Sequence, residues 1–187
     1  PDPPDLPYSP ARSKELLVSP NAMKQKFIRL INEEIKNKQA GKPAYILIKI
    51  NHITDPVMVK KLYEASSHGV RIDLLVRGNC SLITGVPGVS DTIRINGIID
   101  RYLEHSRIFI FANGGDEKMF IGSADWMPRN LDNRVEVIAP VYDPEIKADL
   151  KRVVEYGLKD TLQGRVVDGT GENRPWKIGR AACRERV

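Results

Sequence analysis

Residues 45–77 read YILIKINHITDPVMVKKLYEASSHGVRIDLLVR, and a folding unit is legible in them directly. Tyr45 to Ile50 is a nearly continuous apolar run of strand length, the mark of a strand covered on both faces. Asp55-Pro56 then supplies a helix start, an acceptor side chain followed by proline at the first helical position. Val59, Leu62 and Tyr63 line the inner face of that helix, and Gly69 ends it. Val70 to Val76 is strand-like again. Strand, helix, strand with short connections is a βαβ unit, so the two strands are expected to run parallel.

Upstream, Met23, Phe27, Ile31 and Ile35 recur every fourth residue and share one helical face. Ser19-Pro20 is expected to open this helix with a capping hydroxyl and an N1 proline, and Gly41-Lys42-Pro43 to close it. Glu15 to Val18 reads as a short strand entering the fold, and Pro1 to Pro10 is too proline-rich for regular structure. Downstream, Gly78 to Asp91 is an irregular loop beyond a strand end, where open α/β sheets collect ligands. Thr92 to Ile95 reads as a short strand. Ile108 to Phe111 and Lys118 to Ile121 are strands around a hairpin turn at 112–117, and Arg134 to Pro140 is a further strand. Asp143-Pro144 caps a long helix with Ile146, Leu150, Val153, Val154 and Leu158 inward. The expected fold is α/β: a mixed, mostly parallel sheet of roughly five to seven strands with helices on both faces. Residues 1–18 are expected to be a linker or the tail of a preceding domain, and 19–168 the folded domain. Residues 169–187, whose end from Lys177 is basic and unpatterned, are expected to be a mobile tail, native or in part foreign to the natural protein.

At 187 residues, 41% hydrophobic and 28% charged, the composition is that of an ordinary globular domain. No apolar run is long enough to span a bilayer, and the N-terminus carries no signal-peptide pattern. Cys80 and Cys183 match no metal or redox spacing, so a reducing, cytoplasmic setting with free thiols is expected. A net charge of +5 and a pI near 9.2 favour a polyanionic partner, but no basic, aromatic-interleaved patch marks a nucleic-acid surface.

The chemistry concentrates between Asp100 and Asn133. Of the three histidines, His52 and His68 have no partner spacing and are expected at the surface. His105 stands two residues before Arg107, on the same side if the segment is extended. An imidazole can act as nucleophile or acid/base near neutral pH, and a guanidinium fork can hold a phosphate against it. Gly122-Ser123-Ala124-Asp125 offers small residues and hydroxyl and amide donors to a phosphate. Arg77 is expected to project at a strand end, and Glu136 could orient an imidazole.

These residues carry a resemblance. His105-x-Arg107, Gly122-Ser123-x-Asp125, Asn130 and Glu136 resemble the second half-motif of the phospholipase D superfamily: His-x-Lys, a later Asp, Gly-Ser-x-Asn and a downstream Glu. More specifically, LLVRGNCSLITGVPGVSDTIR (74–94), IIDRYLEHSRIFIF (98–111) and SADWMPRNLDNRVEV (123–137) resemble signature segments of the C-terminal catalytic domain of bacterial polyphosphate kinases of the first type. The resemblance runs from about Tyr8 to about Val167. It implies a phospholipase D-like domain of an enzyme that reversibly transfers the terminal phosphate of ATP to inorganic polyphosphate, with Mg²⁺. It implies a phosphohistidine in the preceding domain, whose own His-x-Lys and metal ligands this chain lacks. The position of His105 is then the second active-site histidine, an acid/base that also contacts nucleotide phosphates. Arg77 matches a family arginine that binds those phosphates, Arg107 and Ser123 are expected from their chemistry to bind phosphate too, and the wider superfamily implies that Glu136 orients an imidazole.

The implied partners are ATP or ADP, polyphosphate and the remaining domains of the same enzyme. The implied whole is a homo-oligomer, cytoplasmic or peripheral to the inner membrane. Two departures stand out: arginine replaces the lysine of His-x-Lys, and Asp125 the asparagine of Gly-Ser-x-Asn. Two alternatives remain open. One is a homodimeric phospholipase D-like phosphodiesterase pairing two His105 sites. The other is a non-catalytic polyphosphate- or polyanion-binding module in which His105 has no special role.

Overall fold

The computed structural model describes residues 15–20, 22–99, 103–160 and 164–167. The proline-rich start, most of the C-terminal tail and Cys183 lie outside the described residues. The elements in chain order are β1 (Leu17–Ser19), α1 (Met23–Gln39), β2 (Tyr45–Ile50), α2 (Pro56–Ser67), β3 (Arg71–Val76), β4 (Ile93–Ile98), β5 (Arg107–Phe111), β6 (Lys118–Gly122), β7 (Glu136–Val141), α3 (Pro144–Lys159) and β8 (Gly164–Val166). The strands form one sheet in the order β1-β7-β6-β5-β2-β3-β4-β8. The first strand thus begins at Leu17, inside the stretch expected to be linker.

The βαβ unit forms as expected: β2 and β3 pair in parallel from Tyr45↔Arg71 to Ile50↔Val76, and β4 adds in parallel to β3. The sheet is mixed, but it is not mostly parallel. β5 lies antiparallel beside β2, the hairpin reverses the chain into β6, and β7, β1 and β8 are antiparallel to their neighbours. A βαβ unit fixes direction only for the strands it joins, and β5 takes its place at the opposite edge of that unit from β4.

Helices cover both faces. Met23, Phe27, Ile31 and Ile35 of α1 and Met58 and Leu62 of α2 are buried against Ile46, Ile48, Ile50, Ile72, Leu74 and Phe109. Alternate residues, Leu47, Ile108 and Ile110, point the other way and pack with Val154 of α3, as period-two alternation requires. The aromatic centre of the first core joins Phe27 to Phe109 at 4.8 Å and to Trp126 at 5.2 Å between ring centroids. Such contacts add to area burial. On α3, Leu150, Val154 and Leu158 pack inward, but Ile146 and Val153, expected to do so, are 51% and 46% exposed. They lie on a flank of the helix that the sheet does not reach.

Asp55 and Asp143 cap their helices as expected, each carboxylate accepting two backbone N–H groups, and each is followed by proline. Ser19 does not cap. It ends β1 opposite Glu136, the Ser19–Pro20 peptide bond is cis, and α1 starts at Met23. The Ser19 hydroxyl instead donates to Asn130 O at 2.5 Å. Lys24, near the start of α1, bridges Asp55 at 2.9 Å and Asp132 at 2.6 Å. Glu34 is buried in α1, where its carboxylate accepts the N–H groups of Asn113 (2.6 Å) and Tyr45 (3.1 Å). It thereby ties the helix to the hairpin turn and to the start of β2.

Two measurements test this framework. A Cβ on Gly122 would lie 2.4 Å from Val137 O and 2.7 Å from Ile138 Cα, both backbone, so Gly122→Ala must push β6 from β7. A loss of about 1–3 kcal/mol in urea unfolding is expected. Burial raises the pKa of Glu34 above its ordinary value near 4.5. The folded chain therefore holds this proton more tightly than the unfolded chain. That contribution to stability is complete below about pH 4.5 and is lost as pH rises through the raised value. Urea midpoints measured from pH 4 to 7 should show this decline, and Glu34→Gln should flatten it.

Candidate active site

Strand direction gathers the candidate residues at one end of the sheet. β2, β3, β4 and β6 finish there, and β5 and β7 begin there, as the pairs Ile50↔Val76, Val76↔Gly97, Arg107↔Gly122 and Gly122↔Ile138 show. Arg77 follows β3, Arg107 opens β5, Ser123 follows β6 and Glu136 opens β7.

At the centre is Asp125, 4% exposed. Its carboxylate receives both arms of Arg107, Nε to Oδ1 at 3.2 Å and Nη2 to Oδ2 at 3.0 Å. Oδ1 also accepts the backbone N–H of Asn51 (3.0 Å) and of His52 (3.3 Å), which follow β2. The remaining nitrogen of Arg107, Nη1, lies 3.1 Å from His105 Nδ1 and 3.3 Å from Nε2, and donates to His105 O at 3.0 Å. Carboxylate, guanidinium and imidazole are thus strung in that order from the interior to the surface, where His105 is exposed.

The segment that bears His105 is held from a second side. Lys49, a lone cation in the apolar β2, is 4% exposed at its side chain and reaches Glu104 Oε2 at 3.0 Å. Its Nζ also lies 3.4 Å from Ser106 O. One ammonium therefore grips both neighbours of His105.

Ser123, Glu136 and Asn130 form a second cluster. The Ser123 hydroxyl donates to Glu136 Oε2, and Asn130 Nδ2 donates to Oε1 at 2.6 Å. Asn130 lies in a five-residue π-helical turn, Arg129–Asn133, a form of backbone frequent at functional sites. The contacts of Glu136 are thus with Ser123 and Asn130, whereas the contacts of the His105 imidazole are with Arg107.

Arg77 stands apart from both clusters. Its backbone N–H donates to Ile50 O, and the residue borders both a cavity of about 350 Å³ at the ends of β3 and β4 and a small cleft shared with Lys49 and Glu104. The structure therefore brings His105 and Arg107 together, sets Ser123 beside Glu136, and places Arg77 on the same sheet end without joining it to the others. Three positioning residues escaped the sequence reading: Lys49, Asn51 and Asp125 as the counter-ion of Arg107. A single lysine inside an apolar strand was the available signal for the first. His52, expected at the surface, is half-buried. Its Nδ1 accepts the N–H of Asn79 at 3.0 Å, and its ring fills the space a side chain at Gly78 would need. His68, by contrast, lies exposed at the end of α2. Among the described residues no group of three or more His, Cys, Asp or Glu could hold a metal ion, and no helix is long and apolar enough to cross a membrane.

Comparison with known proteins accords with this geometry. The chain is 45% identical over 168 residues to the polyphosphate kinase of Escherichia coli K12, covering 90% of this chain and 24% of that protein. It is 50% identical over 170 residues to the polyphosphate kinase of Thermosynechococcus vestitus, covering 90% and 23%. It thus spans about a quarter of the relatives it matches. The crystal structure of polyphosphate kinase from Porphyromonas gingivalis superposes with a TM-score of 0.81 at 44% identity, over 86% of this chain and 25% of that one. Nuc of Salmonella typhimurium, a phospholipase D family member, superposes with a TM-score of 0.60 at 14% identity, over 82% of this chain and 96% of that one. That likeness shows the fold alone, which is phospholipase D-like. The family model described as polyphosphate kinase C-terminal domain 2 matches residues 16–185, and the chain belongs to that family.

Proposed function

We propose that this chain is one wall of a polyphosphate kinase active site, which moves the terminal phosphate of ATP to inorganic polyphosphate and back. The observation that carries the reading is the His105–Arg107–Asp125 string at the sheet end, in a chain of that family. In the forward direction, a histidine outside this chain attacks the γ-phosphorus. The P–O bond to ADP breaks as an N–P bond forms. A terminal oxygen of polyphosphate then attacks the phosphohistidine, and the N–P bond breaks. His105 exchanges a proton with the phosphate oxygens, and Arg107 holds its imidazole in place while adding positive charge nearby. Ser123 and Arg77 supply further donors to the same anions. The net charge of +5 draws polyphosphate and ATP toward the site. The reaction calls for Mg²⁺, whose ligands this reading expects in the preceding domain; among the described residues no group of three or more His, Cys, Asp or Glu could hold a metal ion.

The reading is tested in the full polypeptide that carries this chain, by following ATP formation from ADP and polyphosphate. His105→Ala should lower kcat by about 100- to 10,000-fold. Undiminished turnover would sink the assignment. Hydrolysis of a chromogenic phosphodiester, abolished by the same substitution, would favour the phosphodiesterase alternative.

A second prediction concerns the ion pair, whose side chains are 12% and 6% exposed. Asp125→Ala strands a buried guanidinium and should cost about 3–5 kcal/mol in urea unfolding. Arg107→Lys and Asp125→Asn should each destabilise the chain, and the double variant should lose less than their sum. Simple additivity in that cycle would show that the two residues are not coupled.

A further inference from the structure

β2 is apolar apart from one residue. Among Tyr45, Ile46, Leu47, Ile48 and Ile50 it carries Lys49, whose side chain is 4% exposed. An ammonium there must be paired, since its charge is taken out of water. Its neighbour across the ladder in β5 is Ile108, which offers no charge. The partners of Lys49 lie beyond the start of that strand instead. Nζ reaches Glu104 Oε2 at 3.0 Å and Ser106 O at 3.4 Å. The Glu104 side chain is 44% exposed, so the pair runs from the sheet interior to the surface.

Stability gives little reason for this arrangement. An apolar side chain at the same place in β2 would bury itself without desolvating a charge, and exchanges of that kind are often neutral or stabilising. What the lysine does supply is a fixed point for residues 103–106, which belong to no strand or helix. Glu104 and Ser106 flank His105 in sequence, so one ammonium restrains the chain on both sides of it. Arg107 restrains the same residue separately, through the imidazole and the His105 carbonyl. Arg77 borders two spaces at this end of the sheet. The larger is bounded on its far side by Arg165 and Val167, with Thr84 Oγ1 donating to Val167 O at 3.1 Å. The smaller is shared with Lys49 and Glu104. The pair that steadies His105 therefore also adjoins the arginine expected at the phosphates.

We infer that Lys49, together with Glu104, is a positioning residue for phosphoryl transfer: the pair holds the His105 segment where the imidazole can reach a phosphate oxygen. The inference rests on the polyphosphate kinase reading, in which His105 exchanges a proton with that oxygen. A misplacement of about 1 Å in such a group can cost about 100-fold in rate, and two restraints from different strands leave little room for one. Lys49 acts through His105 and not on the substrate.

Lys49→Met and Glu104→Gln, made in the full polypeptide, test this by the kinetics of ATP formation from ADP and polyphosphate, with thermal unfolding of the same protein. Lys49→Met should lower kcat by about 10- to 100-fold and leave the KM of both substrates within about twofold. Its unfolding temperature should stay at or above that of the wild type. A merely structural ion pair would show the reverse, a lower unfolding temperature with kcat unchanged, and that result overturns the inference. A higher KM at unchanged kcat also overturns it, because the lysine would then be a substrate contact. Glu104→Gln, at the exposed end of the pair, keeps the test decisive should Lys49→Met not fold. Its kcat should fall by about tenfold, and wild-type turnover overturns the inference. His105→Ala in the same assay separates the two failures. Wild-type turnover by that variant would remove the functional reading itself. A slow His105→Ala beside wild-type turnover in both pair variants would remove only the positioning role.

Discussion

The arrangement at the sheet end depends on one buried carboxylate. Asp125 accepts from Arg107 twice and from the backbone of Asn51 and His52, so four donors from two other parts of the chain meet on it. A carboxylate this far from water is tolerated only when it is so supplied. In return it fixes the end of β2, the start of β5 and the exit from β6 relative to one another. The orientation of His105 follows from that junction through Arg107, and Lys49 holds the same segment by both neighbours of the histidine.

The junction also accounts for the two departures from the phospholipase D pattern. Arginine replaces the usual lysine and aspartate the usual asparagine, and in the structure these two residues are partners. A lysine presents a point charge and could not offer two parallel N–H groups to Asp125 while a third arm reaches the imidazole. An asparagine would carry no charge to balance the guanidinium. Each replacement makes sense only with the other. In this chain the cation after the histidine is therefore held between Asp125 and the imidazole, and its charge is balanced by Asp125.

Much of the frame could be read from local pattern, because local rules govern it. Apolar runs, helix caps at Asp55 and Asp143 and the positive-φ Gly41 and Gly69 set element type and limits with little help from the rest of the chain. What escaped was set by distant partners. Ser19 looks like a cap, but β1 carries it to Glu136, more than a hundred residues away, and its hydroxyl goes to Asn130. The apolar stripe of α3 is wider than the surface it covers, so Ile146 and Val153 stay outside. The direction of β5 depends on which edge of the βαβ unit it reaches, which no periodicity encodes. His105, Arg107, Ser123 and Glu136 could be picked out by residue type and motif, whereas the roles of Lys49 and Asn51 arise only when strands meet.

The sheet is bounded by β1 and β8, each three residues long. A strand at an edge presents unpaired amide and carbonyl groups that can recruit another chain, and long flat edges are templates for aggregation. Among the described residues the wide central strands are enclosed, and each flank ends in a three-residue strand. The same brevity makes β8 weakly anchored by its own ladder, so the loop carrying Thr84 is part of what keeps that edge in place. The narrowness of that edge and the shape of the cavity beside Arg77 thus have a common origin in one three-residue strand.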